Sequence, residues 1–428
     1  MYRLAKARAY PHKAEMHSPH PQQKIIGARE LVVMMASIMA LNALAIDGML
    51  PAFPAIGKAL SVNPSNSIQY VISSYLLGSG IGSLFFGPLS DRFGRRPVLI
   101  GAMIGYVLFA LACSYSSSFD MLLSMRFAHG FCGSALSVLV ASIIRDEFEG
   151  DVMAQRMSMI FLVFMIVPII APTIGQAVLL FAGWRTIFDL FAVMAIIVAL
   201  WVSTRLPETL HPEFVIPIQP RSVAKTWGVV VMNRNAAGYM IGAAIVQGGL
   251  FGYLNSSQQI FGEVFHDAKH FALYFAIVAI GIACANFTNS RIVRRFGARR
   301  VSQSAVLVYI VIGGCQYLAA KFAPGSLPLF LSLLTANMAM VGFIGSNFSS
   351  IAMQPFGAMA GAASSFQTFA RTFIAALIGS VIGQQFNGTV APMAAGFLLC
   401  GIVALVLVYW SESGELFTRP GTTKQIPM

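Results

Sequence analysis

The sequence predicts an all-α polytopic membrane protein, with twelve transmembrane helices in two pseudo-symmetric six-helix bundles. Three observations carry that expectation. Of 428 residues, 57% are hydrophobic and only 10% are charged, whereas a soluble domain carries about 25% charged residues. Twelve runs are apolar and long enough to cross a bilayer, and no strand alternation supports a barrel. A shift of 203 residues lays Arg92-Phe93-Gly94 on Arg295-Phe296-Gly297 and Arg96 on Arg299, between the second and third runs of each half. So short a match gains weight from that position, as an internal repeat of a six-span unit.

Taken in order, residues 1–30 are polar and basic with no apolar stretch for a signal peptide, and read as a disordered cytoplasmic tail. His12, His17 and His20 fit a solvated tail better than a metal tract. The spans fall at roughly 31–55, 68–89, 98–115, 120–143, 157–180, 186–204, 236–254, 271–290, 301–320, 327–351, 359–383 and 388–410. Residues 205–235, with Pro207, Pro212, Pro217 and Pro220, are the longest connection and read as a cytoplasmic linker. They separate an N-terminal bundle at 31–204 from a C-terminal bundle at 236–410, followed by a cytoplasmic tail at 411–428.

Charge gives the orientation. Of 28 Lys and Arg residues, 22 fall on the side of the termini and four on the other, while Arg126 and Arg371 lie inside spans. Positive loops stay in the cytoplasm, so the net charge of +12 is read as topology, not as a nucleic-acid surface. The four tryptophans, Trp184, Trp201, Trp227 and Trp410, stand near span ends or in the central connection. Cys113, Cys132, Cys284, Cys315 and Cys400 are scattered through apolar runs, which suits packing better than a disulfide or zinc framework. No phosphate loop, Gly-x-Ser-x-Gly or His-Glu-x-x-His motif supports an enzyme, and no cofactor is expected.

The turn after the second run reads Gly87-Pro-Leu-Ser-Asp91-Arg92-Phe-Gly94-Arg95-Arg96. It resembles the loop 2–3 signature of the major facilitator superfamily at every defining position. Span one carries Asp47-Gly-Met-Leu-Pro51-Ala-Phe-Pro54, similar to the acidic motif of twelve-span drug:proton antiporters. Arg126-Phe-Ala-His129-Gly130 resembles their Arg-x-x-Gln-Gly element, with His129 in place of Gln. Pro168-Ile-Ile-Ala171-Pro172-Thr-Ile-Gly175 resembles their span-five motif, with Ala171 and Gln176 at positions where Gly is usual. Trp184-Arg185 and Leu206-Pro207-Glu208-Thr209 bracket span six as in the bicyclomycin-resistance (Bcr/CflA) subfamily. The resemblance implies a monomeric exporter in the bacterial inner membrane, moving small hydrophobic or cationic drugs against protons. A transporter of one specific, anionic metabolite is the alternative.

Apart from Asp120 at the very start of span four, only Asp47 and Asp189 among sixteen acids lie within spans. A charged group there is costly, about 2.5–3.5 kcal/mol on insertion scales, and tends to face a cavity. At Asp47 a proton and a cationic substrate would compete for one carboxylate. Asp189 is four residues past Arg185, which suggests an interfacial i,i+4 pair. Arg126 is near enough to a span end to snorkel, but the family resemblance gives it a place in proton coupling, with His129 on the same face as a relay or as polar lining. Asn42, Gln247, Tyr253, Asn255 and Arg371 complete the candidate cavity, with Asn286 and Asn337 as further polar groups. Arg371, near mid-membrane, requires a carboxylate, carbonyls, water or an anionic substrate, unless the span is one turn out of register.

Gly87, Asp91, Arg92, Gly94, Arg95 and Arg96, together with Pro172 and Gly175, are the candidate conformational gate. Arg294 replaces Asp91 in the second half, so only the first turn can close an Asp-Arg latch. Asp91 is expected to stabilise the outward-facing state there, facing the N-terminal end of span eleven. Pro168 and Pro172 are expected to bend span five. Gly78 with Gly82 and Gly379 with Gly383 form small faces for close, sliding helix contact.

Overall fold

A computed structural model describes residues 26–148, 150–214 and 227–417, excepting the side chains at 151, 154, 214 and 357–362. The expected tails at 1–25 and 418–428, with His12, His17 and His20, and much of the 205–235 connection lie outside the described residues. Twelve helices have the length and composition to cross a membrane. They are α1 (Ala28–Ala59), α2 (Ser65–Phe93), α3 (Arg95–Ser114), α4 (Phe119–Glu147), α5 (Gln155–Phe181) and α6 (Arg185–Arg205) in the first bundle. The second holds α7 (Arg234–Val264), α8 (Ala268–Phe296), α9 (Ala298–Phe322), α10 (Leu327–Phe356), α11 (Ala363–Gln384) and α12 (Ala391–Ser411). No strand occurs among the described residues.

Proline breaks these helices where the functional groups stand. Pro51 and Pro54 lack the N–H that would continue the ladder. The first helix of α1 therefore stops at Asp47, passes a 3-10 turn at Leu50–Ala52 and resumes at Phe53–Ala59. A second break parts Gly150–Phe164 from Ile166–Phe181. Pro168 lies in the first turn of the latter piece, where its missing N–H would have been unpaired anyway, and Pro172 lies inside it.

The repeat is a repeated turn. Gly94 joins α2 to α3 at φ 96°, ψ 153°, and Gly297 joins α8 to α9 at φ 84°, ψ 148°. Both need the positive φ that glycine tolerates. These turns mark the arginine end of the molecule; the connections α1–α2, α5–α6, α7–α8 and α11–α12 mark the far end.

Most of the small-residue contacts are spent inside bundles. A Cβ on Gly78 or Gly82 would run into the carbonyls of Phe127 or Phe131, so α2 rests on the backbone of α4. Gly379 packs on α7, where a Cβ would meet the Cβ of Phe251 at 2.5 Å. Gly383 alone of the four also reaches the other bundle, at the Gln69 side chain. The bundles meet along α2 and α11, with Gly80 against Phe373, and along α5 and α8.

Candidate functional site

Between the bundles lies an apolar cavity of about 240 Å³. It is walled by Phe164, Met165 and Pro168 of α5, Tyr253 of α7, and the face of α8 from Phe275 to Asn286. Asp47 is the one charged residue in that lining, placed there by the proline break of α1. It is 6% exposed and has no hydrogen bond or ion pair among the described residues. The Tyr253 hydroxyl has no partner among them either, and its ring stacks on Phe275 at 5.8 Å between centroids. Of the sequence candidates, Asp47, Tyr253 and Asn286 come together here.

Arg126 is neither snorkelled nor in the cavity lining. It is fully buried, because three helices satisfy it with backbone oxygens and rings. Its Nε donates to the Val71 carbonyl and its Nη2 to that of Ala45, each at 3.1 Å. The Tyr75 ring lies 4.3 Å from the guanidinium, and Nη1 is 3.3 Å from Nδ1 of His129. Arginine can only donate, so Nδ1 accepts and the ring proton sits on Nε2, which has no partner among the described residues. Tyr106 closes over His129 at 4.1 Å between centroids and donates to the Leu41 carbonyl. Asn42 belongs to this cluster and not to the cavity wall: Tyr75 Oη donates to its Oδ1, and its Nδ2 donates to Ser137 Oγ at 3.0 Å. Arg126 therefore ties the backbone two residues before Asp47 to α2 and α4, without touching the carboxylate.

The other expectations separate. Asn255 lies where the bundles meet, its Nδ2 donating to Ser73 Oγ at 3.3 Å. Asn337 donates to the Tyr309 carbonyl, a bond between helices. Gln247 and Arg371 are half-buried, outside the cavity lining, and Arg371 has no partner among the described residues. The Arg185–Asp189 pair does not form. Arg185 instead lies over the Trp184 ring and donates to the Ser116 carbonyl at 2.8 Å, a nearer oxygen than the next helical turn offers.

At the arginine end the signature turn is tied within its own bundle. Arg95 pairs with Asp91, bonds Ser90 Oγ at 2.7 Å and pairs through Nε with Asp146 of α4 at 2.8 Å. Glu208, just after α6, accepts the backbone N–H groups of Arg95 at 2.8 Å and Arg96 at 3.1 Å. Arg96 also donates to the Ser203 carbonyl, while Arg92 is exposed over the Phe93 ring. Gly87 faces Ser365 of α11, whose Oγ would be 2.9 Å from a Cβ there. Gly175 lets α5 lie against the Gly48 carbonyl at the α1 break, with Pro172 buried one turn earlier. In the second bundle Arg299 pairs with Glu412 at 2.6 Å, and Tyr239 donates to the same carboxylate at 2.7 Å.

Sequence reasoning missed both Asp146 and Glu412, and took Glu208 only as part of a motif. It also missed the far end. There Gln69 donates to Gln259 at 2.5 Å, and Gln259 to Asn66 at 3.0 Å. Asn66 bonds the Phe386 carbonyl at 2.8 Å and receives Gln384 on its own carbonyl at 2.8 Å. Gln176 reaches the Lys269 carbonyl at 3.0 Å. The only signal for this set was a recurrence of neutral amides at span ends.

The comparisons with known proteins agree with this architecture. The sequence pattern described as Major Facilitator Superfamily matches residues 35–380. A Bicyclomycin resistance protein homolog of Haemophilus influenzae is 30% identical over 378 residues, 87% of this chain and 94% of that one. The Multidrug resistance protein MdtL of Shewanella oneidensis is 28% identical, over 89% of this chain and 95% of its own. Among solved structures, a D-xylose-proton symporter shares the fold with a TM-score of 0.68 at 14% identity, over 90% of this chain and 99% of that chain. A helical protein with this repeated turn and these relatives is a secondary transporter rather than an enzyme, and the chain belongs to the major facilitator superfamily, in its bicyclomycin-resistance branch.

Proposed function

We propose that this protein exports small hydrophobic or cationic drugs across the bacterial inner membrane in exchange for protons, as a monomer working by alternating access. The observation that carries the reading is Asp47, a carboxylate with no partner among the described residues, in the wall of a mainly apolar cavity with no other charged residue in its lining. In such surroundings it gains from a proton or from a cation, and one carboxylate does not hold both. Entry of one expels the other. The cavity, a little below the roughly 300–1,000 Å³ of ordinary ligand sites, suits a small substrate. The relatives named for drug resistance support the same substrate class.

The excess of positive charge at the arginine end supports a cytoplasmic position for that end. The amide contacts at the far end then hold the bundles together on the outer side. Dye efflux from vesicles with a collapsible pH gradient tests the coupling; efflux that persists without the gradient removes it. Asp47→Asn should fold, bind uncharged compounds and lose gradient-driven efflux. Normal coupled efflux by that variant excludes Asp47 from the mechanism. Arg371, with no partner among the described residues, favours the second reading, an anionic metabolite. Loss of binding of one defined organic acid in Arg371→Ala, with dye efflux unaffected, would select it.

A further inference from the structure

A second opening, of about 530 Å³, lies on the side of the second bundle between α8, α9 and α10, at the arginine end. Its walls are apolar: Ile292 and Phe296 of α8, Val308 of α9, Met340 and Phe343 of α10. Phe296 and Val308 are close to half exposed, so the groove looks out from the bundle rather than into the central cavity. Arg300 stands at its rim. Its Nε donates to the Phe417 carbonyl at 2.9 Å, and its terminal amino groups have no acceptor among the described residues. The turn from Arg291 to Arg300 carries five arginines and no acid. Of these only Arg299 has a carboxylate partner among the described residues.

The first bundle says what chemistry such a turn takes. Gly94 and Gly297 have nearly the same backbone angles and open equivalent helices. At Gly94 the Glu208 carboxylate accepts two N–H groups of the next helix, and a Cβ on Gly94 would meet its Oε2 at 2.5 Å. At Gly297 nothing among the described residues lies within 4 Å of that position, since Glu412 is turned to Arg299 and Tyr239. An oxyanion fits there, and the described chain supplies none. Apolar wall and arginine meet here at the end of the spans, the level at which basic residues are held at the water boundary. One ligand has both parts.

We propose that the groove between α8 and α10 binds an anionic phospholipid, with its phosphate at Arg300 and the Gly297 turn and an acyl chain along Phe296, Val308 and Phe343. Arginine suits the phosphate through its planar fork.

The test is lipid retention by the full-length protein in detergent, followed by native mass spectrometry. Phosphatidylglycerol should be retained in preference to phosphatidylcholine. Arg300→Ala, an exposed change, should weaken phosphatidylglycerol binding roughly five-fold, as expected for one cation at an anionic headgroup. It should leave phosphatidylcholine unaffected. Val308→Trp, filling the groove, should remove binding of both lipids while the protein still elutes as one species. Equal retention of the two lipids, or unchanged binding by Arg300→Ala, overturns the proposal. Displacement by inorganic phosphate also overturns it, by making the site one for the free anion. So does tighter lipid binding after removal of 418–428, which would identify the tail as the occupant.

Discussion

Gln69 of α2 donates to Gln259 of α7 at 2.5 Å, joining the two bundles through neutral amides buried at the far end. With Asn66, Gln384 and Gln176 they hold the two bundles together on that side. No charge is involved, and this suits a contact that opens in every cycle. Each amide hydrogen bond is worth only about 1 kcal/mol net, because water replaces it when the bundles part.

Gln69→Leu should therefore move the conformational equilibrium, not the fold. Losing one bond at about 1 kcal/mol shifts the ratio of closed to open far ends roughly five-fold toward open. Spin labels on Lys58→Cys and Lys269→Cys, one on each bundle, should report a larger population of long distances. An unchanged distance distribution would mean that this contact does not hold the far end shut.

At the arginine end the restraint is ionic and stays within a bundle. Glu208 caps α3 through the N–H groups of Arg95 and Arg96, and its Oε1 also accepts those of Thr209 and Leu210. Glu208→Ala should cost about 0.5–2 kcal/mol, the range for a lost N-cap. Glu208→Gln keeps one acceptor oxygen and should cost less. Thermal unfolding of the purified variants ranks them; an alanine variant as stable as the parent would reduce Glu208 to a loop residue.

The sequence made the helices, their breaks and the repeated turn legible because each depends on local chemistry. Apolar length set the spans, Pro51 and Pro54 set the interruption after Asp47, and Gly94 recurred as Gly297. Partner choice was not legible. Arg185 had Asp189 four residues away and took the Ser116 carbonyl, 69 residues distant. Gln69 found Gln259 at a separation of 190 residues. Such contacts depend on the rotation and tilt of helices that are apolar nearly all round, so hydropathy does not tell which polar group faces which. Arg126 shows the same limit: its depth was readable, the carbonyls of α1 and α2 that hold it were not.

Asp267 gives the far end a pH dependence with a definite sign. It lies outside the spans, where Tyr274 Oη donates to Oδ2 at 2.6 Å and His270 Nδ1 is 2.7 Å from Oδ1. The Tyr274 bond first, and then the His270 bond, hold its carboxyl below the usual range. A lowered value in the folded state adds stability above the unfolded value of about 3.9, which is lost as pH falls through the lowered value. The difference in unfolding midpoint between the parent and Asp267→Asn should therefore shrink as pH falls below about 4. A difference that grows on acidification would contradict the assignment.

The last prediction concerns Arg126 and His129, where a structural and a coupling role can be told apart. Nη1 of Arg126 has only the ring nitrogen of His129 as its side-chain acceptor, and both residues are fully buried. His129→Leu removes that acceptor and should destabilise the protein by about 1–3 kcal/mol, the cost of a buried donor left unpaired. His129→Gln restores an amide oxygen and should recover most of that loss. Arg126→Lys keeps the charge but cannot span the carbonyls of Val71 and Ala45 together; it should unfold earlier and release α1 from α2. Stability alone would then explain any loss of transport by His129→Leu. If His129→Gln is as stable as the parent and keeps the parent's pH profile of efflux, the imidazole is an acceptor for Arg126 and nothing more. If it is stable but its efflux no longer varies with pH, the unpaired Nε2 is where the proton passes.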